Sequence, residues 1–163
     1  FQNTNAEALR TAARFVELGA RPYELAHEFL YAKKFSTLKL LAKALESLTV
    51  HGGGRIAVME ITQSMLAHAG GLMSDTEGFV DYAASRDDVE LAALLRELGG
   101  QEVRVSLRSR NNHDVASLAE RYGGGGHRNA AGLTLHGDLA SARAIIIGAL
   151  EEMLAANTRS KRS

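Results

Sequence analysis

Apolar residues at Ala8, Leu9, Ala12, Ala13, Phe15 and Val16 recur at three-to-four spacing and predict a helix from about Ala6 to Leu18. Thr4 or Asn5 can cap it, and Gly19 ends it. Pro22 suits the first turn of a second helix through Leu25, Ala26, Phe29 and Leu30. Ser36 can open a third, carrying Leu38, Leu41, Ala42, Leu45 and Leu48, whose leucines read as core packing. Three helices thus lead the chain.

After His51 and the turn-forming Gly52-Gly53-Gly54 the pattern changes to a buried strand, Arg55 to Ile61. Short helices are expected at Thr62 to Ala69 and at Thr76 to Ser85, the latter starting near Asp75. Val89 to Leu98 has a helical composition, but it lies between Asp87-Asp88 and Gly99-Gly100 with a clear strand beyond. It is assigned as the first strand of a hairpin. From Glu102 to Ser109 the alternation is clean, with Val103, Val105 and Leu107 on one face and Arg104, Ser106 and Arg108 on the other. Asn112 or Asp114 can cap a helix through Val115, Leu118, Ala119 and Tyr122. A strand at Gly132 to Leu135 and a helix from about Leu139 to Leu154 follow, with a frayed tail from Asn157. The expected architecture is α/β: a small mixed β-sheet flanked by helices and preceded by a helical connector. The divisions are residues 1–50, 51–156 and 157–163.

Composition narrows the chemistry. The 163 residues include no cysteine, which removes disulfides, thiolate nucleophiles and cysteine-ligated zinc. No apolar run approaches the roughly 20 residues of a spanning helix, so no membrane partner is expected and a cytoplasmic setting is. Nineteen basic and nineteen acidic side chains cancel, but unevenly. Asp75 to Glu102 holds eight acidic residues against Arg86 and Arg96, whereas Val103 to Arg128 holds five arginines against Asp114 and Glu120. A polyanion would dock on the latter stretch. The chain starts at Phe1 rather than methionine and reads as a fragment of something longer.

Four consecutive glycines, Gly123 to Gly126, followed by His127, Arg128 and Asn129, lose backbone entropy on folding at every position. Two readings account for them: a flexible connector, or a nest of N–H groups that cradles a phosphate, with His127, Arg128 and Asn129 as donors at its rim. Arg108, ending a strand beside Ser109, could give a phosphate two parallel charge-assisted bonds, or be a solvated strand end. The six histidines show no i, i+4 or i, i+2 pair, so no metal site is expected, and Asp87-Asp88 reads as a loop acid pair. Neither a Walker loop nor a Gly-x-Ser-x-Gly elbow occurs. These features describe a binding site without a catalytic residue.

Ser106-Leu107-Arg108-Ser109, Asp114-Val115-Ala116 at a helix start, and the run from Tyr122 through the four glycines and His127 to Gly132 resemble the DHH-associated C-terminal domain of the DHH phosphoesterases. The similarity is greatest to the NrnA type, which are oligoribonucleases and phosphatases of 3′-phosphoadenosine 5′-phosphate (pAp). Asn3-Thr4 and the helices after it resemble the connector behind the catalytic domain of these enzymes. The resemblance implies an N-terminal partner domain carrying an Asp-His-His motif and two manganese ions (Mn2+). No Asp-His-His run occurs here, so the chain alone is expected to be inactive. The resemblance further implies that Arg108, Ser109, Gly123, Gly124, Gly125, Gly126, His127, Arg128 and Asn129 hold a phosphate or terminal nucleotide. The ligands would be short single-stranded RNA, dinucleotides or nucleotide phosphates. Two alternatives stand beside it: a cyclic-di-AMP or linear-dinucleotide phosphodiesterase, and a non-catalytic RNA-binding module like the related domain of alanyl-tRNA synthetases.

Overall fold

The computed structural model describes residues 4–111 and 113–160, the side chains of 158–160 excepted. Two compact units divide the chain, 1–34 and 35–163. In the first, α1 (Ala6–Glu17) is capped by Asn5, whose side-chain oxygen accepts the Ala8 N–H at 2.8 Å. Helix α2 (Pro22–Ala26) starts on the proline and runs on as a π-helical turn, His27–Tyr31. None of these elements contains a buried residue.

The second unit is built on six strands: β1 (Thr49–His51), β2 (Ile56–Ile61), β3 (Leu91–Gly99), β4 (Glu102–Ser109), β5 (Gly125–His127) and β6 (Ala130–His136). Their spatial order is β1-β2-β3-β4-β6-β5. Only β2 and β3 run parallel, joined through α4 (Gln63–Ala69) and α5 (Phe79–Ala83), so the sheet is mixed as expected. Helix α3 (Phe35–Glu46) precedes the sheet. Sequence placed it in the 1–50 connector, but it packs within the second unit, where Leu40 and Ala44 are fully buried.

Alternation along the strands separates two cores. On one face Val58, Leu91, Leu95, Val105, Leu107 and Leu133 meet α6 (Val115–Glu120) and α7 (Leu139–Ser160) through Leu118, Ile146 and Leu150. On the other, Ala57, Met59, Ile61, Ala92 and Leu94 meet α3, α4 and α5 through Leu40, Leu66, Phe79 and Val80. This second core covers β2 and β3 alone. Arg143 of α7 ties the first face to the sheet edge, its Nε 2.6 Å from Glu60 Oε1 and its Nη2 3.0 Å from Thr49 Oγ1.

Four expectations need correction. The helix placed at Thr76 to Ser85 is shorter, with a 3-10 turn at Met73–Thr76 and α5 beginning after Gly78. Strand β1 was not anticipated, because three residues carry too little pattern. Helix α7 continues to Ser160 rather than fraying at Asn157, while 161–163 lie outside the described residues. Gly125–His127 forms a strand rather than a loop. Asp114 caps α6, accepting from Ala116 and Ser117; the other candidate cap, Asn112, lies outside the described residues.

Candidate functional site

Where helices leave the second face of the sheet uncovered, over β4 and β6, lies a cleft of about 880 Å³. The segment from Thr76 to Val80 and the α6–β5 connection at Tyr122–Gly124 contribute to its lining. Its floor is set by strand register, because directly opposed residues share a face. Three parallel rows result. Arg96 of β3 stands opposite Arg104 of β4, which stands opposite Thr134 of β6. The next row is Leu94, Ser106, Gly132 and Gly125, and the third is Ala92, Arg108, Ala130 and His127. Small residues fill the middle row between two cationic ones.

Arg108 is oriented by α5. Its Nε lies 2.7 Å from Asp81 Oδ1, and its Nη1 donates to the Leu107 carbonyl at 3.1 Å. His127 is exposed on the same face with one strand between, so the two Cα atoms are separated by about two strand spacings, roughly 10 Å. Both long side chains can therefore reach one anion between them. His127 is outside the lining of the cleft proper and stands at its outer strand.

Arg96 is different in kind. Only 8% exposed, it donates from Nη1 to Thr76 Oγ1 at 3.2 Å and from Nη2 to Ser106 Oγ at 2.5 Å, while its Nε has no partner. Burial first, and then the Arg104 charge, push its pKa below the ordinary value; Glu77 opposes them.

The glycine run does not form the expected nest. The Gly123 and Gly124 N–H groups donate to the carbonyls of Glu120 and Ala119, closing α6, and Gly125 to His127 pair along β6. Glycine is required for close packing instead. A Cβ on Gly124 would collide with the Gly132 carbonyl and the Leu133 backbone, and one on Gly126 with the Ala130 carbonyl and Ala131. Gly123 and Gly124 nevertheless line the cleft.

Ser109 faces away from Arg108, by alternation, and ties backbone together. Its Oγ donates to the His113 carbonyl at 2.9 Å, with the Arg128 carbonyl 3.3 Å away, and its N–H donates to the Asn129 carbonyl at 3.0 Å. Arg128 and Asn129 are the two-residue turn between β5 and β6. The Arg128 carbonyl accepts the Val115 N–H, and the Asn129 side-chain oxygen lies 3.4 Å from Ser109 Oγ. Beneath this junction His113, almost fully buried, places Nε2 2.8 Å from Glu90 Oε2 and Nδ1 3.3 Å from Asn157 Nδ2. The His113 hydrogen bond holds the Glu90 carboxyl below its usual pKa range, with the His113 and Arg55 charges adding to it.

Sequence reasoning singled out Arg108 but passed over Arg96, Arg104 and Thr134 as site residues. Arg104 carried a signal as part of the polar edge of β4, and Arg96 as the first charge after the apolar run Leu91 to Leu95. Their meeting needed the register.

A family model described as "DHHA1 domain" matches residues 53–156, well over half of the chain. The chain belongs to the DHHA1 domain family. It is 30% identical over 155 residues to the "Bifunctional oligoribonuclease and PAP phosphatase NrnA" of Thermus thermophilus, covering 94% of this chain and 46% of that protein. A solved exopolyphosphatase-related protein from Bacteroides fragilis superposes with a TM-score of 0.86 at 25% identity, over 93% of this chain and 45% of the other. A pGpG-specific phosphodiesterase, PggH, from a Vibrio species shares the fold, with a TM-score of 0.52 at 13% identity over 74% and 39% of the two chains. The chain spans less than half the length of each of these relatives.

All three rows of the cleft floor fall inside the matched DHHA1 segment. No three His, Asp or Glu side chains among the described residues gather to hold a metal ion, and of the pair Asp87-Asp88 the second is engaged by Arg86 at 2.8 and 2.5 Å. Among the described residues no helix is long and apolar enough to cross a membrane.

Proposed function

We propose that this DHHA1 domain is the substrate-holding lobe of a phosphoesterase that hydrolyses short oligoribonucleotides and pAp. The observation that carries the reading is the shared row of Arg108 and His127 at one end of a cleft that holds two further arginines. A planar guanidinium offers a phosphate charge-assisted hydrogen bonds; Asp81 takes Arg108 Nε and the Leu107 carbonyl one Nη1 hydrogen, which leaves Nη2 and the second Nη1 hydrogen for a ligand. Imidazole at the outer strand supplies a donor from the opposite side. Such a clamp, a few fixed donors around one terminal phosphate, favours short ligands over long polymers. The NrnA relative, by its name an oligoribonuclease and PAP phosphatase, supports the same substrate class. In this reading the metal-bearing, bond-breaking domain is the N-terminal partner, the DHHA1 domain alone hydrolyses nothing, and the whole protein works in the cytoplasm.

Calorimetric titration with a 5′-phosphorylated diribonucleotide, its unphosphorylated counterpart and a long oligoribonucleotide tests it. The phosphorylated dinucleotide should bind best, and His127→Ala should weaken it by about 1–3 kcal/mol, the cost of a lost hydrogen bond to a charged group. Preferential binding of the long strand, steeply salt-dependent and indifferent to His127→Ala, would replace this reading with a general RNA-binding module.

A further inference from the structure

The floor of the cleft contains an electrostatic arrangement that the fold alone does not explain. Arg96 and Arg104 are directly opposed across β3 and β4, a position that brings Cβ atoms to about 5 Å and makes like charges unfavourable. Arg96 is also buried, and burying a guanidinium is costly unless it is paired. Its hydrogen-bond partners are two neutral hydroxyls, its Nε has none, and no carboxylate lies within ion-pair distance among the described residues. Glu77 lines the same cleft without closing on either arginine. An anion seated at this row would relieve both costs at once.

We propose that Arg96, Arg104 and the Thr134 hydroxyl form a second anion subsite, which holds an internal phosphodiester of an oligonucleotide whose end is held at Arg108. The assignment of the ligand as an oligonucleotide rests on the reading given above; the anion subsite itself does not. Along β4, Arg104 and Arg108 are four residues apart, which is roughly 13 Å. Arg108 is held at its own row by Asp81 and the Leu107 carbonyl, so a phosphate seated beside Arg96 and Arg104 is distinct from the one at Arg108. A ligand engaging both ends must carry two separated phosphates, and the Ser106–Gly132–Gly125 row between them is low enough to admit a sugar and base against the strands. Arg96 acts from beneath: Ser106 Oγ accepts its Nη2 hydrogen bond and so fixes the guanidinium under the row. Length preference is then a property of this floor, with the shortest ligands using only the Arg108 end.

Arg104→Gln is the informative variant, because Arg104 is exposed and its loss leaves the core intact. The thermal midpoint of the 163-residue chain is measured in chloride buffer at fixed ionic strength, with and without millimolar inorganic phosphate. Without phosphate the variant should melt higher than the parent, a like charge having been removed. Phosphate should raise the midpoint of the parent more than that of the variant, which keeps only the Arg108 end. In titrations with 5′-phosphorylated di-, tri- and tetraribonucleotides, the parent should gain about tenfold once the ligand spans both ends, and Arg104→Gln should lose that gain while binding the dinucleotide as the parent does. Phosphate stabilisation larger in the parent than in the variant, with no binding of any oligonucleotide, would keep the anion subsite and overturn the oligonucleotide assignment. Equal phosphate stabilisation of both proteins, or an undiminished length gain in the variant, would overturn the subsite.

Discussion

The second face of the sheet is really two surfaces. Over β2 and β3 it is covered by α3, α4 and α5, and strand residues there are Ala57, Met59, Ile61, Ala92 and Leu94. Over β4 and β6 no described helix packs an apolar core on it, α5 reaching β4 through the Asp81–Arg108 pair, and the corresponding positions are Arg104, Ser106, Arg108, Gly132, Thr134 and His136. The backbone ladder is continuous across both halves, so the difference is made by side chains alone. The covered half contributes a buried core, and the proposed recognition lies on the bare one, where removing a side chain leaves no cavity. Arg96 stands on the boundary, buried like the first group and charged like the second.

The sharpest way to break this contrast is truncation on either side of the boundary. Met59→Ala or Leu94→Ala, both in the covered half, should cost about 2–5 kcal/mol in denaturant unfolding. Thr134→Ala on the bare half should stay within about 0.5 kcal/mol. Equal losses would mean that the bare half is covered in the folded protein.

Gly124→Ala comes next, at about 1–3 kcal/mol, because its methyl group must displace the Gly132 and Leu133 backbone. Gly125→Ala, with open space around its Cβ and no positive φ, should leave stability alone and weaken nucleotide binding by filling the low middle row. Chemical denaturation and calorimetry on the same two variants separate these effects.

A smaller and pH-dependent loss belongs to Glu90. Its folded pKa lies below the ordinary 4.5, so its stabilisation is complete above that value and disappears as pH falls through the lowered one. Acid titration of Glu90→Gln, followed by circular dichroism, should therefore show a shallower stability loss in that window than the parent. Asp81→Asn is expected to have the least effect on folding, under about 1 kcal/mol, since the ion pair with Arg108 is solvated. Its binding of phosphate should strengthen, because a competing carboxylate has gone.

Much of this arrangement is legible in the chain. Strand β4 was expected at its observed limits because period-two alternation leaves little choice, and β3 was correctly assigned against its helical composition by the turn residues on either side. Arg108 and His127 stood out by residue type. The glycines misled for a physical reason: a run that frees the backbone and a run that admits a neighbouring backbone look the same in sequence, and here the neighbour is Gly132 and Leu133, some eight positions on. Arg96 facing Arg104 was hidden because register across a hairpin depends on its turn, and at Gly100-Gln101 both residues have positive φ, 62° and 60°.

That hairpin has a consequence for motion. Arg96, Arg104 and Arg108 all belong to β3 and β4, the innermost pair of strands, rather than to mobile loops. Fluctuations that open a recognition site usually draw on the weakly protected margins of a domain. Here the three guanidinium-bearing residues share the central backbone of the sheet, and their amides should exchange with deuterium only when the whole second unit unfolds. The clamp proposed above would then be rigid on the β4 side, and adjustment to a ligand would fall to the outer strand that carries His127.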